Sequence, residues 1–336
     1  MSQNHHSANL VEDLAVLRPP YDPLLVPAVE TSKKSLPDIL ELESLRNLSG
    51  GFELAKILED FPSLDHAEYS VPGLNQGDPE VVLSILRPKD PSNKLLPAFY
   101  HIHGGGQVAG NRFSALGVVM EYLAGIETVF ISVEYRLAPE HRAPAALHDA
   151  YAGLLWVAEH TADLGIDGSK MIVCGGSGGA PIAAGTTMLC RNKEKPFPGA
   201  LMLLTPMLDD RVDTVSSKQF EKGAPWCGIT NRMAWDHVLG SERAGPRVSE
   251  LIAPARATDL TGLPPTFVDA GACEVFRDEA VRFALKLWEC GVSAELHVWP
   301  GAYHGFDMLG ETAPVAVAAR SAKLSWIKRV VASWDA

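Results

Sequence analysis

Nothing in this sequence pairs its cysteines. The five residues Cys174, Cys190, Cys227, Cys273 and Cys290 are odd in number, scattered, and form no C-x-x-C. That spacing argues against both a disulfide framework and a metal cage, and no metal is expected. Buried thiols serving as small hydrophobes are the expectation. Basic charge is also short: 29 Lys and Arg stand against 41 Asp and Glu, a net charge of −12 with no basic stripe. Neither nucleic acid nor an anionic membrane surface is therefore an expected partner. No apolar run approaches the length of a membrane span, so no membrane insertion is expected. The stretch from Met1 to Leu17 is polar and carries acids. It lacks the basic-then-apolar order of a signal peptide, which makes a cytoplasmic location the expectation. Internal repeats, low-complexity tracts and a G-x-x-x-x-G-K-[ST] phosphate loop are all missing.

What is present is a chain of 336 residues, 46% of them hydrophobic. That suffices for one large α/β domain and an accessory piece. Pro19, Pro20, Pro23 and Pro27 make the first thirty or so residues read as an irregular arm. A helix is expected from Ser35-Leu36-Pro37-Asp38, with an apolar face of Ile39, Leu40, Leu42, Leu45 and Leu48, ending at Gly50-Gly51. A second short one is expected over Phe52–Leu58. Strands over His66–Val71 and Val81–Leu86 flank turn signals and open the sheet in antiparallel fashion. From Leu96 onward strands and helices alternate, the rhythm of βαβ units in a mostly parallel sheet with helices on both faces. Only the sixty or so residues between Leu204 and Pro264 break it. A structureless loop of that length is improbable, so a helical insertion over the site is expected there.

The strand candidate Lys170–Cys174 runs into Gly175-Gly176-Ser177-Gly178-Gly179, and an Ala-rich helical stretch leaves it. Strand, G-x-S-x-G and helix form the setting of a nucleophile elbow, whose tight turn tolerates only minimal side chains beside the serine. Ser177 reads as a nucleophile; a Gly-rich turn without chemistry is the alternative. Upstream, a strand leads into His103-Gly104-Gly105-Gly106. Beside a nucleophile, its unshielded amides would form an oxyanion hole. Gly104 to Ala109 also fits the dinucleotide pattern G-x-G-x-x-A, but it neither opens the sheet nor clearly continues as a helix. Downstream, His304 sits in a glycine-flanked loop just past a strand end, giving the chain order serine, acid, histidine. For the acid, Asp269, Glu274, Asp278 and Glu279 compete. Asp269 lies within the strand, Asp278 and Glu279 in the first turn of the next helix, and Glu274 on the loop between.

Together, His103-Gly104-Gly105-Gly106, the run from Ser132 to Ala146, the serine elbow, Phe276-Arg277-Asp278-Glu279 and His304-Gly305-Phe306 resemble the hormone-sensitive-lipase-like branch of the α/β-hydrolases. The resemblance runs in order from about Pro97 to Phe306. It implies an α/β-hydrolase fold with an eight-stranded, mostly parallel sheet, a helical cap from the N-terminal arm plus an insertion, no cofactor, and ester hydrolysis. Carried over, Ser177 is the nucleophile, His304 the base and Glu274 the acid, with Asp278 as the alternative. Gly105, Gly106 and Gly178 become the oxyanion donors, while Gly104 and His103 support them. Glu134 and Arg136 read as scaffold, and Gln107, Trp226 and Trp235 are expected to line the substrate pocket. The implied division is an arm with cap helices over residues 1–60, core over 61–205, insertion over 206–258 and core over 259–336.

Two departures from the family pattern stand out. Its elbow usually reads G-D-S-A-G-G or G-T-S-A-G-G, where this chain has Gly176 and Gly178 around the serine, and its acid is usually aspartate. The expected function is a serine hydrolase of small or medium acyl esters working through an acyl-enzyme, acting on a small-molecule ester or a lactone. Non-hydrolytic members of the fold, a small-molecule receptor or a dehydratase, are the alternatives. Pairing of two chains through a sheet edge would suit the family.

Overall fold

A computed structural model describes residues 17–35, 37, 39–49, 51, 53–92 and 94–335. Three short helices come first, α1 (Val26–Ser35), α2 (Leu42–Ser49) and α3 (Leu54–Asp60), followed by β1 (Leu64–Val71), β2 (Val81–Pro88) and β3 (Leu96–Ile102). Strands and helices then alternate through α4 (Leu116–Glu121), β4 (Val129–Glu134), α5 (Ala145–Glu159), α6 (Thr161–Leu164), β5 (Ile166–Gly176), α7 (Ala180–Lys193) and β6 (Ala200–Leu204). Next come α8 (Val215–Gln219), α9 (Gly228–Leu239), β7 (Thr266–Gly271), α10 (Arg277–Glu289), β8 (Ala294–Trp299), α11 (Phe306–Leu309) and α12 (Pro314–Ser333). The eight strands form one sheet in the order β1-β2-β4-β3-β5-β6-β7-β8. Only β2 runs against its neighbours; every pairing from β4 to β8 is parallel.

The two-residue period of the strands sorts the core into two layers. Tyr100, Ile131, Val173, Leu203 and Val268 face α5, α7 and α10, which meet them with Ala150, Leu154, Ala183, Met188 and Phe283. Phe99, Phe130, Ile172, Met202 and Phe267 face the other way, onto Leu116 and Val119 of α4 and Trp326 and Ile327 of α12. Both faces are covered, so the central strands read as continuous apolar runs. A third cluster joins Leu40 and Leu45 to Phe220, Trp226 and Trp235 from the segment between β6 and β7, and rests on Val108 and Ala109. Parallel strands all point their C-terminal ends toward this third cluster, and the loops after β3, β5, β7 and β8 meet beneath it.

The N-terminal residues depart from expectation. Where the prolines predict an irregular arm, α1 forms, with Pro27 in its first turn, a position that needs no amide hydrogen. The helix expected from Ser35 begins only at Leu42. Tertiary contact overrides the local signal here, because the Leu40 amide donates to Thr230 Oγ1 on α9, 3.1 Å away, rather than to a helical turn. Leu36, Asp38, Gly50 and Phe52, on which the expected cap, stop and second helix start rely, lie outside the described residues.

Candidate active site

The serine is set by the turn that carries it. β5 ends at Gly176, and Ser177 has φ +52°, in the left-handed region, before a single 3-10 turn hands the chain to α7. A non-glycine residue held there costs about 1–3 kcal/mol, which the surrounding packing must overcome. Gly178 follows, and the close approach explains the glycine. A Cβ on it would sit 2.5 Å from Gly106 Cα and 2.7 Å from Gln107 N, and nearer still to Gly106 N. The loop after β3 is thus pressed against the elbow.

That loop turns at Gly105, φ +99°, whose carbonyl accepts the Val108 and Ala109 amides at 3.1 and 3.0 Å. Among the described residues, the Gly105 and Gly106 amides have no protein acceptor. His103 braces the turn. Its ring stacks on Tyr135 with centroids 4.1 Å apart, and Nδ1 donates to the Gly104 carbonyl at 2.8 Å. Burial pushes the His103 pKa down to about 4, so the ring stays neutral.

His304 lies in the loop after β8. Its Nε2 is 3.0 Å from Ser177 Oγ and its Nδ1 is 2.7 Å from Glu274 Oε2. Glu274 is wholly buried, and its other oxygen accepts the Gly271 amide at 2.6 Å. Phe276 stands edge-on to the imidazole at 5.1 Å, and Trp226 lies 6.2 Å from it. A cavity of about 240 Å³ opens at the serine, walled by Gly104, Gly105, Trp226, Thr205 and Met308.

The competing acids are elsewhere. Asp278 accepts the Ser216 amide at 2.8 Å and pairs with Arg277, which ties α8 to α10. Glu279 accepts the Leu208 amide, and burial raises its pKa well above the carboxylate range. Asp269 accepts the Trp299 indole N–H at 3.1 Å. Gln107 and Trp235 do not line the cavity at Ser177. Gln107 faces a separate small void beside Pro181 and Leu251, and Trp235 is fully buried in the core between α2 and α9. The dinucleotide reading also meets an obstacle: a Cβ at Gly106 would lie 2.6 Å from Trp226 Cη2, and the next helix starts only at Leu116. Glu134 holds Arg112, and Arg136 holds Asp149 at 2.7 Å, both away from the serine. No group of three or more potential metal ligands occurs among the described residues.

The sequence profile of the alpha/beta hydrolase fold family matches residues 99–308. The chain belongs to the α/β-hydrolase family. Its place is in the hormone-sensitive-lipase-like branch, and the match spans both the glycine loop and the histidine. Carboxylesterase NlhH of Mycobacterium tuberculosis is 34% identical over 245 residues, covering 70% of this chain and 74% of its own. A bacterial heroin esterase superposes with a TM-score of 0.83 at 35% identity, over 91% of this chain and 97% of its own. Esterase LipW from Mycobacterium marinum gives 0.80 at 30% identity, over 94% and 98%.

This member of the family holds its glycine loop partly from outside, in a way the sequence did not signal. Arg46, in the last turn of α2, donates to the carbonyls of Val108 at 3.0 Å and Ala138 at 3.2 Å and pairs with Glu140. An arginine near a helix C-terminus reads from sequence as an ordinary surface cation. Lys323 is the second such residue; it lies fully buried on α12, where a lone lysine in a helical pattern gives no hint of burial.

Proposed function

We propose that Ser177, His304 and Glu274 are nucleophile, general base and orienting acid in the hydrolysis of a carboxylic ester with a small or medium acyl chain. The chain is a carboxylesterase-type hydrolase, a conclusion supported by the family match and its esterase relatives. One observation carries the residue assignment: a single imidazole within hydrogen-bond distance of the elbow serine on one side and a buried carboxylate on the other. Glu274 accepts a hydrogen bond from Nδ1–H, which leaves the Nε2 lone pair facing the serine hydroxyl. As Oγ attacks the ester carbonyl, His304 takes its proton, and negative charge gathers on the carbonyl oxygen. The amides of Gly105, Gly106 and Gly178 stabilise that oxyanion, each such donor being worth about 3–4 kcal/mol of barrier. Protonated His304 gives its proton to the leaving alcohol, and water then repeats the cycle on the acyl-enzyme.

The cavity supports a short or medium acyl group. At about 240 Å³ it falls below the range typical of drug-sized ligands. Trp226 closes it from above and shields the reacting atoms from water. In this reading residues 61–205 and 259–336 carry the chemistry, while the helices before them and residues 206–258 cover it. A free edge at β8 offers a surface for pairing two chains, which size-exclusion chromatography checks.

The test is hydrolysis of p-nitrophenyl acetate, butyrate, octanoate and palmitate by wild type and Ser177→Ala, with a γ-lactone alongside. Turnover of the short esters that vanishes in the folded variant supports the reading. Equal turnover by both proteins would overturn it.

A further inference from the structure

Lys323 is 1% exposed, yet its ammonium sits among charges. Nζ lies 2.5 Å from Asp307 Oδ2 and 3.2 Å from Asp269 Oδ2, and 4.9 Å from the centre of the Tyr122 ring. Tyr122 also donates its hydroxyl to Asp307 Oδ2 at 2.8 Å. Asp269 is further held by the Trp299 indole at 3.1 Å and the Thr205 amide at 3.3 Å. Two carboxylates and an aromatic face surround the ammonium. Lys323 and Asp307 also stand in the wall of the cavity that opens on Ser177.

Its position in the chain suggests its use. Asp307 lies three residues past His304, in α11, and Asp269 lies five residues before Glu274, in β7. One ammonium on α12 thus joins the element that follows the base to the strand that delivers the acid. Arg320, one turn earlier on α12, donates to the Asp307 carbonyl at 2.6 Å and fixes the same helix to the same loop. We propose that Lys323 is a positioning residue for the hydrolysis, a clasp that holds the His304 and Glu274 loops in register so that the imidazole spans both partners. The proposal rests on the reading of Ser177, His304 and Glu274 given above.

Charge makes the clasp testable. The groups facing it are Asp269 on β7, Asp307 on α11, Tyr122 after α4, Cys174 on β5, Tyr303 beside His304 and Arg320 on α12. Charge attraction from the two carboxylates outweighs burial and holds the Lys323 pKa well above its usual value, while the ammonium lowers that of Asp307 against the pull of its own burial. Lys323→Met keeps the bulk and removes the ammonium. Asp269 and Asp307 are then left buried on either side of the gap, and one of them must retain a proton. Its folded-state pKa is raised above the unfolded value, so the stabilisation present at low pH is lost as pH rises through it. Thermal midpoints measured from pH 6 to pH 9 should diverge from those of wild type, increasingly so toward pH 9.

For the kinetic arm, kcat on p-nitrophenyl butyrate should fall about ten- to a hundredfold with KM within threefold, as for catalytic groups misplaced by up to an ångström. Lys323→Met/Asp307→Asn removes the second charge along with the first. It should restore pH-independent stability while kcat stays low, because α12 no longer grips α11; it also supplies the kinetic arm should the single variant fail to fold. A wild-type kcat in either variant would overturn the clasp, as would pH-independent stability of Lys323→Met. The stability arm needs no substrate. Failure of the esterase reading, seen as undiminished hydrolysis by Ser177→Ala, is thereby separable from failure of the clasp.

Discussion

Replacing Glu274 by glutamine changes a single oxygen to a nitrogen in a pocket that fixes the orientation of the new amide. In the native protein Oε1 accepts the buried Gly271 amide at 2.6 Å and Oε2 accepts from His304 Nδ1 at 2.7 Å. Glutamine can satisfy Gly271 only with its oxygen, which turns the NH₂ toward the imidazole. His304 Nδ1 must then accept, the ring proton moves to Nε2, and no lone pair faces Ser177. The comparable wrong-tautomer substitution in a Ser-His-Asp enzyme costs about 10⁴-fold in kcat, or roughly 5 kcal/mol. An escape exists through the flipped amide. It leaves the Gly271 N–H buried against another donor, which costs about 1–3 kcal/mol, and it exchanges a charge-assisted hydrogen bond for a neutral one, about 1–2 kcal/mol more. Even by that route the loss is about thirty- to several-thousandfold. The expected result for Glu274→Gln is therefore a kcat on p-nitrophenyl butyrate lower by about 10²–10⁴ at pH 7.5, with little change in KM and a folded protein by circular dichroism. Asp278→Asn is the control. Its carboxylate serves Ser216 and Arg277, so kcat should stay within threefold and only the thermal midpoint should drop. A Glu274→Gln enzyme within tenfold of wild type would refute the reasoning, decisively so if Asp278→Asn were the inactive one.

Gly178→Ala places a methyl against backbone that cannot rotate away, 2.5 Å from Gly106 Cα. The glycine loop must retreat by about an ångström to reach ordinary contact, so kcat should fall about a hundredfold with the fold retained. Unchanged rates would mean that the oxyanion amides lie elsewhere. Acid should also weaken the fold through two buried imidazoles. Burial holds the pKa of His101 near 3 and that of His103 near 4, against about 6.5 when unfolded. With folded values depressed, the stabilisation is complete above pH 6.5 and is lost as pH falls. Each histidine should contribute about 2 kcal/mol of loss between pH 7.5 and pH 5. Thermal melts at the two pH values check this, and equal midpoints would place both rings in contact with water.

How legible the molecule was from sequence depended on whether the signal was local. The runs Leu96–Ile102 and Ala294–Trp299 coincide with β3 and β8 because turn signals on either side bound each extended run. Ser177, Glu274 and His304, the residues proposed for the chemistry, each sit just past a strand end, and the sheet edge brings the three together. The start of α2 was not legible, since Leu40 obeys a threonine on α9 that lies 190 residues away along the chain. Gln107 and Trp235 were placed at the substrate by residue type alone, and type does not tell which side of a loop faces the cavity. Arg46 and Lys323 escaped notice for a related reason: each acts on loops distant in sequence, and neither alters the pattern of its own helix.

The seating of residues 17–49 has a consequence in time. Arg46 grips carbonyls at 108 and 138, and Leu40 reaches Thr230. The Asp22 amide donates to the Gly301 carbonyl, while Leu25 and Val29 pack on Tyr303 and Phe306. A ribosome makes this segment before any of its partners, and those partners follow at very different delays. The carbonyls at 108 and 138 emerge early, whereas Thr230 and the loop at Gly301 come much later. The segment can therefore grip the glycine loop before the sheet is finished, and its docking is complete only once the chain has passed β8.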